Sequence, residues 1–287
     1  MSLDLDTRQR AMLLEMGVRV WEPLTAPEPE ALLHDQARSL PPAPVASEPL
    51  PLAPEPTRQA PSPLPIPTRV APLANGIGGM DWPALSQAVR QCQACAMCLG
   101  RRAPVLVAPQ QNTACDWLLV GDPPDEAQER AGQPFVEEAG QLLDNMLRAV
   151  GVSRWSQDTD AGEAQTAASR AYLTHVLKCR PALIRAPHAN ELDTCAHFLR
   201  REIALTQPKV ILAMGRFAMQ LLLSETPPEQ ASLPLGKLRG QVWRFAGVPL
   251  VVTYPPGYLL RNGQDKARAW ADLCLARAVA TGAMASP

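Results

Sequence analysis

The chain has 287 residues, 46% of them hydrophobic, a net charge of −1 and seven cysteines. That length and apolar content allow one sizeable core rather than two. No run approaches the roughly eighteen apolar residues of a membrane span, and a charge near zero excludes a global attraction for nucleic acid, so DNA binding would need a local basic surface. The acidic start, Met-Ser-Leu-Asp-Leu-Asp, lacks the apolar stretch of a signal peptide. The expected location is therefore the reducing cytoplasm, where disulfides do not persist.

Residues 1–22 read as a short amphipathic helix with Gly17 as its stop. Leu13, Met16, Val18 and Trp21 give it an apolar side suited to binding a partner; docking on its own domain is the alternative. Residues 23–79 hold fifteen of the 31 prolines. Such a segment lacks backbone donors and favours extended polyproline II, which predicts a disordered, semi-rigid tether. Residues 80–287 carry the periodicity of a folded domain.

Within that domain Asp116–Gly121 is an apolar run closed by Gly and two prolines, as expected for a buried strand. Residues 139–150 place Leu142, Leu143, Met146, Leu147 and Val150 at helical spacing before Gly151. Strands are predicted at 172–177, 209–214, 242–245 and 250–254, and helices at 191–206, 216–224 and 264–280. Alternating strands and helices predict an α/β domain with a parallel-rich sheet. Ligands in such folds bind at the carboxyl ends of the strands. The segments 121–125, 175–181 and 254–261 should therefore meet at one cleft.

Cys92 and Cys95 form a CxxC, and Cys179 and Cys195 follow far downstream. Four thiolates suit a closed four-coordinate site, either zinc or an iron–sulfur cluster. Softness and spacing do not choose between these two, and four buried free thiols are the alternative. Cys98 makes a second CxxC with Cys95 and is a substitute ligand; Cys115 and Cys274 are expected to be packed thiols.

Several motifs carry a family likeness. Gly121-Asp122-Pro123-Pro124-Asp125, Gly132-Gln133-Pro134-Phe135-Val136-Glu137-Glu138-Ala139-Gly140, Leu177-Lys178-Cys179-Arg180-Pro181 and Tyr254-Pro255-Pro256-Gly257-Tyr258-Leu259-Leu260-Arg261-Asn262 resemble the type 4 uracil-DNA glycosylases in order and spacing. The resemblance runs from about Cys92 to the last helix. It implies a three-layer α/β/α sandwich with a central, mostly parallel sheet, and a [4Fe-4S] cluster on Cys92, Cys95, Cys179 and Cys195, with zinc as the alternative. It also implies DNA, single-stranded or uracil-containing, as ligand.

By the same resemblance Asp122 takes the place of the family's water-orienting Glu, and Phe135 that of the aromatic that stacks on uracil. Tyr258, Arg261, Lys178, Arg180 and Arg239 fall where the substrate or its phosphates would be held, with Lys237 beside them. Three departures argue against efficient excision. His175 stands where the family reads uracil with Asn, and its donor and acceptor point in divergent directions. Pro255 replaces a His that serves the leaving oxygen, and it has no donor. Pro123, Asp125 and Glu137 replace small residues; Glu137 adds negative charge near an anionic leaving group. Loss of one oxyanion donor alone can cost about 10²–10³ in rate.

The N-terminal segment is similar to the start of the psi subunit of the bacterial DNA polymerase III clamp loader, with a short helix, a Gly and a Trp before Pro-containing sequence. That likeness implies clamp-loader ATPase subunits as partner and a role as a non-catalytic adaptor.

Overall fold

The structure is a computed structural model, and it describes residues 71–109, 114–155, 169–180, 185–227 and 233–283. The partner-binding residues Leu13, Met16, Val18 and Trp21, and the tether up to residue 70, lie outside the described residues.

Six strands form one sheet: β1 (Trp117–Gly121), β2 (Val152–Arg154), β3 (Ser169–His175), β4 (Val210–Met214), β5 (Val242–Phe245) and β6 (Val248–Thr253). Their order is β2-β3-β1-β4-β6-β5. All neighbours pair in parallel except β5, which returns antiparallel on β6. The central strands are near-continuous apolar runs because both faces are covered. Leu118, Val120, Ile211 and Ala213 pack into one core, and Trp117, Leu119, Val210 and Leu212 into the other.

The helices supply the outer layers. They are α1 (Trp82–Gln91), α2 (Glu126–Ala131), α3 (Glu137–Ala149), α4 (Ala189–Thr206), α5 (Arg216–Leu222), α6 (Leu235–Leu238), α7 (Pro256–Arg261) and α8 (Lys266–Ala280). Leu192, Phe198 and Leu199 of α4 join the first core, while Leu143 and Leu147 of α3 and Leu273 and Ala276 of α8 join the second. The three-layer α/β/α architecture is thus present. None of the described helices is long and apolar enough to cross a membrane.

Local signals explain the elements that periodicity alone did not predict. Asp81 caps α1 by accepting from Ala84 N at 3.0 Å, and Pro83 occupies its first turn. Asp125 caps α2 through Gln128 N at 2.9 Å, and Gly132 ends it at φ 65°. Ile77 and Leu73, inside the Pro-rich stretch of the sequence, pack on the first core.

The register places Gly121, His175, Met214 and Thr253 in one row across the carboxyl edge of the sheet. The loops leaving these four residues therefore start side by side, as the topology rule requires.

Candidate functional site

Asp122 leaves β1 at this edge, and its carboxylate turns across to the start of α5. Oδ1 accepts from Phe217 N at 2.7 Å and Ala218 N at 3.0 Å, and Oδ2 from Arg216 N at 3.1 Å. These are otherwise orphan amides of a helix N-terminus. Burial raises the carboxyl pKa, and the three backbone donors oppose the rise. Gly215 makes the approach possible: it has φ 118°, and a Cβ there would overlap the carboxylate. Both oxygens of the Asp122 carboxylate are thus engaged as a helix cap.

His175 ends β3 with 2% of its surface exposed. Neither ring nitrogen has a hydrogen-bond partner of normal geometry. Burial, then the positive charge of Lys178, lowers its pKa to about 3, so the ring is neutral at pH 7. The Phe135 ring lies against it, with centroids 5.1 Å apart and planes tilted by 31°. Both rings crowd Gly121, where a Cβ would overlap Phe135.

Phe135 is held in the left-handed region at φ 54°, and Glu137 two residues on at φ 55°. Several bonds over-determine this turn. Phe135 N donates to Gln128 Oε1 at 2.9 Å. Arg154 donates to Pro134 O and Phe135 O, both at 3.0 Å, while its Nε pairs with Asp144. Gly140 leaves room for the Phe135 carbonyl, which a side chain would displace. Glu137 begins α3 and faces Arg130 at 3.8 Å in the open.

Around β6 the last motif folds into α7. Pro255 caps it with its carbonyl and offers no donor. Tyr258 stacks on Tyr254 with ring centroids 5.0 Å apart, and its hydroxyl donates to Asp265 at 2.7 Å. Residues 233–283 contain seven Lys or Arg against two acids, Asp265 and Asp272, and both acids are buried and paired, with Arg268 and Arg239. This stretch therefore carries an excess of cations in a chain of nearly zero net charge.

The cations expected to hold phosphates divide into two groups. Lys237 and Arg261 are exposed. Lys178 corrects the expectation: its side chain is buried, and its Nζ bonds Glu202 Oε2 at 2.6 Å, Thr174 Oγ1 at 2.6 Å and His175 O at 2.8 Å. Burying an ammonium requires such partners, and this side chain is turned inward rather than toward solvent. Arg180 meets the buried Glu129 at 2.8 Å. Arg239 is bound to Asp272 at 2.7 Å and to Arg268 O, and lies over the Tyr254 ring.

The four cysteines meet on the other flank of the Lys178 loop. Cys92 ends α1, Cys95 precedes the short 3₁₀ turn Ala96–Cys98, Cys179 follows β3 and Cys195 lies in α4. Their thiols are within electrostatic reach: Cys95 feels Cys179 and Cys92, and Cys195 feels Cys179 and Cys95. Cys98 also faces Cys179. Burial pushes Cys95 up to about 11 and Cys195 up to about 12. Ionised thiols here therefore need a positive group to offset desolvation. Among the described residues no three His, Cys, Asp or Glu side chains converge closely enough to share a single ion. Cys115 is buried as expected, whereas Cys274 is exposed on α8 rather than packed.

Residues that motif reading missed support both centres. Arg154 clamps the Phe135 turn, Glu202 anchors Lys178, and Arg101 donates to the Cys179 sulfur at 2.9 Å. Buried charge needs a partner, so a Lys in an apolar strand end signals a carboxylate, though not which one. Arg101 sits in Gly-Arg-Arg and carries no local signal of its own.

Comparison with known proteins agrees with this architecture. Residues 108–274 match the sequence profile of the Uracil DNA glycosylase superfamily. The type-4 uracil-DNA glycosylase of Thermotoga maritima is 32% identical over 186 residues, covering 64% of this chain and 85% of that protein. The type-4 uracil-DNA glycosylase of Pyrobaculum aerophilum is 30% identical, covering 64% and 86%. A type-5 uracil-DNA glycosylase of the same organism is 29% identical over 136 residues, or 46% of this chain and 57% of that protein. The chain belongs to the uracil DNA glycosylase superfamily.

Proposed function

We propose that this protein is a DNA-binding member of the superfamily acting in DNA repair, in which uracil excision is strongly reduced. The carrying observation is the capture of the Asp122 carboxylate by three backbone amides of α5. A carboxylate whose two oxygens are so engaged is poorly placed to orient a water, and part of its charge is already met by the amide dipoles. Pro255 adds no donor for the departing base. The Phe135 ring packs against the His175 ring and over Gly121, so this face of Phe135 is occupied by the protein's own side chain. DNA binding rests on the family relation and on the cation excess of residues 233–283, in which Lys237 and Arg261 are exposed and able to meet phosphates.

Cys92, Cys95, Cys179 and Cys195 would hold a [4Fe-4S] cluster. All donors are thiols, and Cys95 and Cys195 each lie within electrostatic reach of two of the other cysteines, which supports a thiolate-held cluster. When bound, the cluster supplies covalent links between the segment before β1 and the β3–α4 connection.

The test pairs binding with cleavage. Full-length protein is incubated with uracil-containing single- and double-stranded oligonucleotides, with fluorescence anisotropy for binding and alkaline cleavage for excision. Salt-dependent binding with little excision is expected. Rapid excision that disappears in Asp122→Asn would overturn the proposal.

A further inference from the structure

The segment between the second CxxC and β1 contributes one cation to the cysteine centre. Arg101 directs its guanidinium at both halves of that centre. Nη1 donates to Cys179 Sγ at 2.9 Å, and Nη2 donates to Arg90 O and Cys92 O, both at 2.8 Å. The two carbonyls belong to the end of α1, where the last C=O groups of a helix lack partners and carry partial negative charge. One planar fork thus ties the Cys92 end to a thiol 78 residues away in sequence.

Its setting differs from that of the neighbouring cations. Arg180 meets Glu129, Arg185 meets Glu191 and Lys178 meets Glu202. The hydrogen bonds of Arg101 go to one sulfur and two carbonyls, so no carboxylate neutralises it through them, and its charge faces Cys179, Cys92 and Cys98. Lysine could supply the charge but not the fork, because a point ammonium cannot span the sulfur and both carbonyls in one plane.

Hydrogen bonds and positive charge at a coordinating sulfur withdraw electron density and favour the reduced state of an iron–sulfur cluster. Groups of this kind around a metal centre also set ligand orientation and retention. We infer that Arg101 is a positioning residue of the cysteine centre: it holds the Cys179 sulfur and the Cys92 loop in one geometry and raises the reduction potential of a cluster bound there. The inference rests on the iron–sulfur reading given above.

The experiment uses full-length protein reconstituted anaerobically with iron and sulfide, alongside Arg101→Gln and Arg101→Lys. Iron content, reduction potential by spectroelectrochemical titration and the rate of iron loss to a chelator are measured. Arg101→Gln is expected to shift to a more negative potential and to lose iron about 10-fold faster. Arg101→Lys is expected to keep most of the potential but to lose iron faster, since it retains charge without the fork. A folded Arg101→Gln, checked by circular dichroism, that takes up no iron also supports the positioning role. Unchanged potential and retention in Arg101→Gln overturn it; if that variant does not fold, wild-type retention in Arg101→Lys does so. Zinc without iron in the wild-type protein overturns the underlying reading, and this is seen before any variant is compared.

Discussion

Asp122 and Gly215 are interlocked at the carboxyl edge of the sheet: the carboxylate occupies the space that any side chain at 215 would need. This contact joins the end of β1 to the start of α5. Asp122→Ala should destabilise the domain by about 1–3 kcal/mol, through loss of the cap and orphaned amides. Gly215→Ala should cost roughly 2 kcal/mol or more, from strain at φ 118° together with the overlap. Urea unfolding measures both; a neutral Gly215→Ala would contradict the geometry.

His175 predicts a distinct acid response. Its folded pKa of about 3 lies below the ordinary 6.5. Between these values the unfolded chain takes up a proton that the native ring refuses, so stability falls as pH drops through this window. The contribution approaches about 1.4 kcal/mol per pH unit for one proton. Unfolding midpoints for wild type and His175→Asn, compared from pH 7 to pH 4, should show a flatter profile in the variant.

The two groups of cations should separate cleanly under mutation. Lys178→Met leaves Glu202 buried without its ion partner and should cost about 3–5 kcal/mol. Arg261→Ala and Lys237→Ala should leave the melting temperature within a degree or two while weakening DNA binding. Each should reduce the salt slope by about 1 if its side chain meets a phosphate. Anisotropy titrations at several salt concentrations, beside thermal melts, read both effects.

Arg154 offers a test of how the Phe135 turn is held. Removing its bonds to Pro134 O, Phe135 O and Asp144 should cost about 2 kcal/mol. It should also free the ring from His175. Hydrogen exchange at residues 134–140 should accelerate in Arg154→Ala, while amides of β1 and β4 stay protected.

The strands β1, β4 and β6 and the helices α3, α4 and α8 were legible because burial on one or both faces writes itself into apolar period and run length. Helices α1 and α2 depend instead on capping by Asp81 and Asp125. Strand β2 has only three residues, too short for any pattern. In the site, motif order singled out Asp122, His175, Phe135 and Pro255, and the structure sets the first three at or beside the carboxyl ends of β1 and β3. Motif order also marked Lys178 as a phosphate contact, because a loop Lys and a buried Lys look alike until Glu202 arrives from α4.

By itself, then, the sequence determined the family and its architecture, and which residue types stand at 175 and 255, since these depend on residue type and order. Only the tertiary structure decided where charge is used. Asp122 went to α5, Lys178 to Glu202 and Arg101 to Cys179, and each pairing joins residues at least 24 positions apart in the chain. The reason is physical: a charge entering a low-dielectric interior must find a partner in space, and that partner is supplied by packing rather than by neighbouring sequence.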